Sequence, residues 1–336
     1  MEQLVHDLGP GPWTVAQVRA CGWTYRQIDY AVASNRLIRP RRGSVAPPPG
    51  AASPASDLVS VRSRARAVLS KYAGGVVSHE TAAILHGLWL PRPAPSEVSL
   101  ISPRRPDRIE QGVRVHGSRL PKSQQVLLDG VPITSCARTA VDVARGRSIE
   151  DAVVVLDSAA RALAAADGID LRRLRDDLDL RAAVAAAGRR ELWSAYQAVR
   201  RWPFTVVVRS AIPLLDPASE SAFESRSRIR ILGSELPDPR IAVAVVGASG
   251  TTYYADFVWD EWKVIGEADG TAKYGDDPRT VRSRLRAERR RQRDLEDAGW
   301  TFARWESTEP RGAMLPRVRR TLRDCGWTGL TRRTDT

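Results

Sequence analysis

The stretch "YYADFVWDEWKVIGEADG", residues 253–270, reads as two β-strands joined by a tight turn. Aromatic and β-branched residues, which favour strands, make up much of it. Three carboxylates, Asp256, Glu267 and Asp269, stand among residues that are typical of a sheet buried on both faces. The pattern raises the question of what keeps acids together there, in a chain of 336 residues with a formal net charge of +13.

The register of this hairpin decides which acids face each other. If the loop spans 260–263, Asp256 lies opposite Glu267, and a two-residue turn at 260–261 shifts the pairing by two residues. Strict alternation puts Asp256, Glu267 and Asp269 on one face in both registers. Adjacent carboxylates repel one another, and a divalent cation bound by their oxygens would relieve that repulsion. The alternative is a sheet face that simply meets solvent.

The elements around the hairpin predict a mixed α/β core. The segment "DPASESAFESRSRIRILG" predicts a helix capped by Ser219, with Glu220 and Glu224 one turn apart on one face. A long basic helix, the strand "WTFARWES" and the helix "MLPRVRRTLRDCG" follow the hairpin. The order α-β-β-β-α-β is that of a mixed sheet flanked by helices. Glu224 could then close the acidic site from the preceding helix.

The long basic helix predicts a contact with nucleic acid. Its segment "RTVRSRLRAERRRQR" holds eight arginines against one glutamate, far more than i,i+4 pairing can neutralise. Arg282, Arg286 and Arg290 are the candidate phosphate contacts. A solvated basic helix remains the alternative, because charge runs often have no further role.

The first 46 residues predict a small winged helix-turn-helix. Thr14 can cap a first helix that Gly22 ends, and Thr24 can cap a second helix. The alternating segment "RLIRPRRGSV" then predicts a hairpin wing. Four arginines crowd the helix end and the wing, where phosphates would be met: Arg36, Arg39, Arg41 and Arg42. An ordinary helical hairpin with a basic edge is the competing interpretation.

Composition shifts divide the chain further. The Pro/Ala/Ser-rich residues 47–56 predict a linker, followed by an α/β and helical region at 57–204 and a last domain at 205–336. In "HETAAILH" His79 and His86 are seven residues apart, so they do not match the i,i+4 zinc spacing. We expect structural histidines there.

The overall charge favours a polyanionic partner. Lysine and arginine total 52 against 39 acids, which favours nucleic acid before an anionic membrane surface, although a merely arginine-rich protein would show the same balance. No apolar run approaches the roughly 18 residues that a membrane span needs. The three cysteines are far apart, which suggests neither a disulfide framework nor a zinc site. We therefore expect a cytoplasmic protein with no membrane partner.

Residues 205 to 310 resemble the PD-(D/E)XK nuclease superfamily, in its branch similar to very-short-patch-repair endonucleases. "SESAFES" is similar to the opening helix acid, "YADF" to the strand aspartate and "GEADG" to the E-x-(D/K)-G element. The resemblance implies a restriction-endonuclease-like fold, a Mg²⁺ or Mn²⁺ cofactor held by Glu224, Asp256 and Glu267, and a catalytic set that also includes Asp269. Asp269 replaces the usual lysine, and Lys263 or Lys273 could substitute for it.

Residues 1 to about 160 resemble the AbiEi-like antitoxins of type IV toxin–antitoxin systems. The winged helix, "VSHETAAILHGL", "GVRVHGS" and "GVPITSCARTAVDVA" carry this resemblance. It implies DNA binding, repression of the operon that encodes the protein, and a nucleotidyltransferase-type toxin as a partner.

Together these observations predict an α/β (α+β) protein. The expected parts are an N-terminal winged helix-turn-helix, a middle α/β and helical region, and a C-terminal restriction-endonuclease-like mixed sheet flanked by helices. The leading expectation is a DNA-binding regulator whose last domain cleaves DNA with Mg²⁺. The alternatives are a repressor or antitoxin whose nuclease-like domain only grips nucleic acid, and a structural partner of a toxin.

Overall fold

The structure, a computed structural model, describes residues 12–34, 36–46, 54–91, 95, 97–270, 278–310 and 312–329. The chain forms two compact units: residues 1–145 with 194–202, and residues 146–193 with 203–336. In the described ranges, no helix combines the length and the apolar character that a membrane crossing requires.

The first unit opens with two short helices and a three-stranded antiparallel sheet in the order β1-β3-β2. Thr14 and Thr24 each form a capping box with the glutamine three residues later, so both predicted caps are confirmed. The helices pack on a small apolar core that includes Trp13, Ile28 and Val45. The elements are β1 (Trp13–Thr14), α1 (Val15–Ala20), α2 (Tyr25–Ala33), β2 (Ile38–Arg41) and β3 (Ser44–Ala46).

The rest of the first unit is a six-stranded mixed sheet in the order β6-β7-β5-β4-β9-β8. Helix α3 (Pro54–Leu69) begins inside the segment predicted as a linker, and residues 47–53 of that segment lie outside the described ranges. Its apolar side joins the core around Leu100 and Ile133. The other elements are β4 (Val76–Val77), α4 (His79–Leu85), β5 (Val98–Ile101), β6 (Arg108–Glu110), β7 (Val113–His116), β8 (Gln125–Leu128), β9 (Val131–Thr134) and α5 (Cys136–Ala144).

The second unit begins with helices α6 (Ile149–Ala166), α7 (Leu178–Val199) and α8 (Val206–Ala211), of which the last six residues of α7 belong to the first unit. Helix α9 (Ala222–Leu232) packs on α6. Three ion pairs join these two helices: Glu150–Arg230, Asp151–Arg226 and Asp157–Arg228. Residues 146–193 thus lie in the same compact unit as the C-terminal sheet.

A four-stranded sheet in the order β10-β11-β12-β13 completes the second unit. Its first three strands are antiparallel neighbours, and β13 runs parallel to β12 after the crossover helix α10. The order α-β-β-β-α-β expected from the sequence is present. The elements are β10 (Arg240–Val246), β11 (Thr252–Trp259), β12 (Val264–Asp269), α10 (Pro278–Asp297), β13 (Thr301–Glu306) and α11 (Met314–Asp324).

Helices cover both faces of this sheet. Phe257 and Trp305 lie in the core that includes residues of α9 and α11, whereas Ile265 packs with Leu295 of α10. Gly266 has no room for a side chain, since a Cβ there would lie 2.8 Å from Trp305. The close contact at Gly266 therefore holds β12 in place against its neighbouring strands, next to Glu267.

Candidate functional site

Asp256 lies where strands β11 and β12 separate. Their backbone pairing runs from Trp259 opposite Val264 to Phe257 opposite Gly266, and Asp256 is the next position along. There the Asp256 carboxylate accepts a hydrogen bond from the Ala268 N–H at 2.9 Å. The carboxylate thus occupies the fork between the two strands.

The hairpin adopts the register with the longer loop. Residues Asp260–Trp262 form a single 3-10 turn, and Lys263 follows in the left-handed region with φ 47°. This loop makes Glu267 the residue opposite Asp256 in the continued register.

Strict alternation does not apply at Asp256. Ile241 and Phe257 pack in one core, whereas their neighbours two positions along, Val243 and Ala255, pack in the other. Ala242, the residue opposite Asp256 in this register, has a left-handed φ of 49°. On both strands, the residues before and after this point therefore face opposite sides of the sheet. Alternation along the strand thus does not place Asp256 on the same face as Glu267 and Asp269. Glu267 and Asp269, two residues apart on β12, keep their shared face.

Glu224 reaches the site from the first turn of α9. Ser221 caps the helix, with the Glu224 N–H donating to Ser221 Oγ at 3.1 Å and Ser221 Oγ donating to Glu224 Oε1 at 2.8 Å. The Glu220 N–H donates to Glu224 Oε2 at 2.7 Å. The cap predicted at Ser219 is therefore wrong, because Ser221 supplies the hydroxyl three residues before Glu224, and Glu220 lies before the helix.

The acids are coupled electrostatically. Burial, followed by the charge of Glu224, raises the pKa of Asp256 to about 8, although the hydrogen bond from the Ala268 N–H opposes the rise. Glu267 and Asp269 add smaller contributions in the same direction. Burial is also the main reason that the pKa of Glu224 is raised. Without a cation, Asp256 would keep its proton at neutral pH.

Glu267 is held by two arginines. Its Oε1 lies 2.6 Å from Arg291 Nη1 of α10, and its Oε2 lies 2.8 Å from Arg304 Nη2 of β13. Glu288 bridges the same guanidinium groups at 3.0 and 2.8 Å. Burial raises the pKa of Glu267 and the two arginines oppose that rise. This network could not be predicted from the sequence, because nothing separates Arg291 from the other arginines of the basic segment.

Asp269 ends β12 on the exposed side of the site. It lies opposite Glu306 of β13, and its carbonyl accepts a hydrogen bond from the Ser307 N–H at 3.1 Å. Burial is the main cause of its raised pKa, and the charge of Arg304 opposes the rise.

The carboxylates suit a hard divalent ion by their chemistry. Mg²⁺ and Mn²⁺ prefer oxygen ligands, and within the described ranges Asp256 makes no ion pair with a lysine or arginine. Across those ranges, however, no three His, Cys, Asp or Glu side chains are arranged to hold a metal. Both oxygens of Glu267 are engaged by arginines.

Lys263 is not placed to replace the missing lysine through its ammonium group. Its Nζ donates to the Ala298 carbonyl at 2.9 Å and lies 6.0 Å from the ring centroid of Trp300. Lys273 lies outside the described ranges.

The basic helix α10 presents arginines to solvent. Arg286 and Arg290 are exposed, whereas Arg291 turns toward the sheet and also donates to the Tyr254 carbonyl at 2.9 Å. The side chain of Arg282 lies outside the described part of the chain.

The arginines of the first unit differ in their surroundings. Arg36 is exposed and stacks over Tyr30, with its guanidinium carbon 5.0 Å from the ring centroid. Arg39 forms an ion pair with Asp29, so part of its charge is already neutralised. Arg42 is exposed, and the side chain of Arg41 lies outside the described part.

Two exposed tyrosines on α2, Tyr25 and Tyr30, lie near the exposed arginines of the first unit, and they were not identified as site residues from the sequence. Tyr25 is 60% exposed and Tyr30 is 64% exposed, and Arg19 stacks over Tyr25 at 4.4 Å. The available signal was the presence of two tyrosines in a short capped helix.

The histidines are engaged inside the first unit. His79 stacks on His116 with ring centroids 3.7 Å apart, and His86 Nε2 lies 2.8 Å from the Thr134 carbonyl. Burial lowers the pKa of His79 to about 3, with nearby arginines adding to the effect. These contacts agree with the structural role expected for His79 and His86.

Comparisons with known proteins leave the activity open. No family model matches the chain. The uncharacterized proteins Rv2248 and MT2308, from two strains of Mycobacterium tuberculosis, are each 26% identical over 284 residues, which is 83% of this chain and 89% of each relative. A crystal structure of the RV2827C protein from Mycobacterium tuberculosis is 18% identical with a TM-score of 0.30, over 64% of this chain and 79% of its own.

Proposed function

We propose that this chain is a DNA-binding regulator whose second unit carries a divalent-metal site of the restriction-endonuclease kind. The observation that carries the proposal is Asp256 in the fork between β11 and β12, with a pKa raised to about 8 beside Glu224, Glu267 and Asp269. Repulsion among such carboxylates is relieved either by protonation or by a bound cation. A bound divalent cation would also provide positive charge that attracts a phosphate. The α-β-β-β-α-β order supports a PD-(D/E)XK-like unit.

Each acid has a distinct part in the proposed reaction. Asp256, Glu224 and Glu267 would hold Mg²⁺ or Mn²⁺, and Asp269 at the exposed end of β12 would orient water or share in binding the ion. A bound ion would make its water more acidic and stabilise charge on the phosphate. In the hydrolysis, water oxygen bonds to phosphorus, the bond to the leaving oxygen breaks, and a water proton passes to a carboxylate or to solvent. Asp269 stands where a lysine would assist, so slow turnover is expected.

The first unit supports the regulatory half of the proposal. Two capped helices and the β1-β3-β2 sheet support a winged helix-turn-helix at this end of the chain. Tyr25, Tyr30 and the exposed Arg36 and Arg42 form a surface that suits DNA, since phosphates attract arginine and aromatic groups contact sugars and bases. The same surface fits the second candidate, a repressor or antitoxin without nuclease activity. A neighbouring gene for a nucleotidyltransferase-type toxin would favour that candidate.

Cleavage of supercoiled plasmid with Mg²⁺ or Mn²⁺ separates the two candidates. Asp256→Asn should abolish cleavage, whereas Asp260→Asn should keep it, because Asp260 is an exposed acid of the same hairpin that pairs with Arg240. Equal cleavage by wild type and Asp256→Asn would rule out the proposed site. Specific DNA binding without cleavage by any of the proteins would favour the non-enzymatic regulator.

A further inference from the structure

Arginines stand where the proposed cation would meet Glu267. Both oxygens of this carboxylate are taken, by Arg291 at 2.6 Å and by Arg304 at 2.8 Å. Glu267 is 6% exposed, and it is the residue opposite Asp256 in the hairpin register. Asp256 itself has no such partner within the described ranges. The two arginines therefore balance the charge of Glu267, whereas the charge of Asp256 is balanced only when its carboxyl is protonated.

The two arginines that hold Glu267 are both partly exposed to solvent. The side chain of Arg304 is 32% exposed and that of Arg291 is 19% exposed, so both can meet an incoming phosphate. Exposed arginines follow on the same helix at Arg289, Arg290 and Arg293. Arginine binds phosphate oxygens with two parallel hydrogen bonds, which competes well with a carboxylate.

We infer that Arg291 and Arg304 are internal cations that exclude a divalent ion from Glu267 until a nucleic-acid phosphate draws them away. This inference rests on the proposed function, and it names how that site is regulated. The ion and the guanidinium groups need the same two oxygens, so they bind Glu267 in competition. A phosphate that engages the arginines releases Glu267 to the ion, so metal and nucleic acid bind with positive coupling, each tightening the other by the same factor.

Calorimetric titration with Mn²⁺ alone tests the competition. Arg291→Gln and Arg304→Gln keep hydrogen-bond donors but remove the charge, and each should tighten Mn²⁺ binding by about tenfold. Arg293→Gln is the control on the same helix, since it removes an exposed charge with no contact to Glu267, and it should change the affinity by less than about threefold. Circular dichroism confirms that each variant is folded. Unchanged or weaker Mn²⁺ binding in both Glu267-contact variants would overturn the inference.

A short DNA duplex tests the coupling. In wild type, saturating duplex should tighten Mn²⁺ binding about fivefold or more. In the Arg291→Gln/Arg304→Gln double variant this enhancement should disappear, although Arg293→Gln keeps it. An equal enhancement in the double variant would overturn the inference. If wild type and Asp256→Ala bind Mn²⁺ identically, the proposed metal site itself fails, which is a different result from wild-type binding that the arginine variants leave unchanged.

Discussion

At the scale of single residues, Asp256 has the clearest physical signature in the second unit. Its pKa of about 8 lies above its ordinary value of 3.8 because of burial and neighbouring acids. Between about pH 4 and pH 8, the folded protein therefore keeps a proton on Asp256 that the unfolded chain has already lost. Stability from this group is complete below about pH 4 and is lost as pH rises through 8.

Asp256→Asn should remove that pH dependence. In metal-free buffer at pH 8, we expect the variant to melt at least about 3 °C higher than wild type, because roughly 1 kcal/mol of repulsion is relieved after solvent screening. At pH 5 the difference should shrink, since the wild-type carboxyl is then protonated. Calorimetric melting across this pH range measures it, and a constant difference at all pH values would show that Asp256 does not titrate as described.

His116 provides a test of opposite sign in the first unit. Burial lowers its pKa from 6.5 to about 4, and the charged groups that act on it are Asp142, Asp107 and Arg114, besides the stacked His79. Between about pH 6.5 and pH 4, His116 is protonated in the unfolded chain but stays neutral in the folded protein. The folded state therefore loses stability as the pH falls through this range. Relative to wild type, His116→Gln should gain about 1–2 kcal/mol over that range in urea unfolding. A parallel loss in both proteins would contradict the shift.

At this scale the sequence indicates which residues belong to the site, but not which side chains they contact. Clustered acids in apolar strands indicate a site, because burying like charges is costly. The arginines on Glu267 could not be foreseen, since their contacts depend on how a distant helix and strand pack over β12. The left-handed Ala242 also carries no signal, because alanine normally avoids that conformation.

At the scale of elements, local chemistry predicted caps and strand order. Thr14 and Thr24 were identifiable because each is followed three residues later by a glutamine that completes the capping box. The same rule identifies Ser221, because Glu224 follows it three residues later, whereas Ala222 stands at that place after Ser219. The cap at Ser221 was therefore readable from the sequence and was missed. The hairpin register likewise depends on the loop, whose 3-10 turn was not evident from the sequence.

Helix α10 should be a DNA contact through its exposed arginines. Reversing Arg286 and Arg290 to Glu should weaken duplex binding at least about tenfold at low salt, since phosphate contacts dominate affinity. The control reverses Arg172 and Arg209, two exposed arginines elsewhere in the second unit. Fluorescence anisotropy compares them, and equal losses in both pairs would indicate a general charge effect and not a contact on α10.

The segment from Arg36 through strand β3 should contribute separable phosphate contacts. Replacing Arg36 or Arg42 with Ala should each reduce the slope of log K against log salt by about one unit. Arg39→Ala should have a smaller effect, because its charge is shared with Asp29. Salt titrations of duplex binding measure these slopes. If the Arg36 and Arg42 variants leave the slope unchanged, this segment does not contact phosphates.

At the scale of the whole molecule, the chain divides into two units that the sequence described only in part. Composition shifts indicated several segments, but residues 146–193 belong with the C-terminal sheet because ion pairs join α6 to α9. Such pairing between distant segments leaves no local mark. The central claim nonetheless concerns one site: the acids around Asp256 are kept together to bind a divalent cation.

Calorimetry with Mn²⁺, on wild type and Asp256→Ala, tests that claim most directly. Wild type should show saturable binding and a higher melting temperature, since an ion that binds only the folded state stabilises it by about 2.7 kcal/mol at one hundred times its dissociation constant. Both effects should be lost in Asp256→Ala and kept in Asp260→Ala, the exposed acid of the same hairpin. An identical response of wild type and Asp256→Ala to Mn²⁺ would contradict the account.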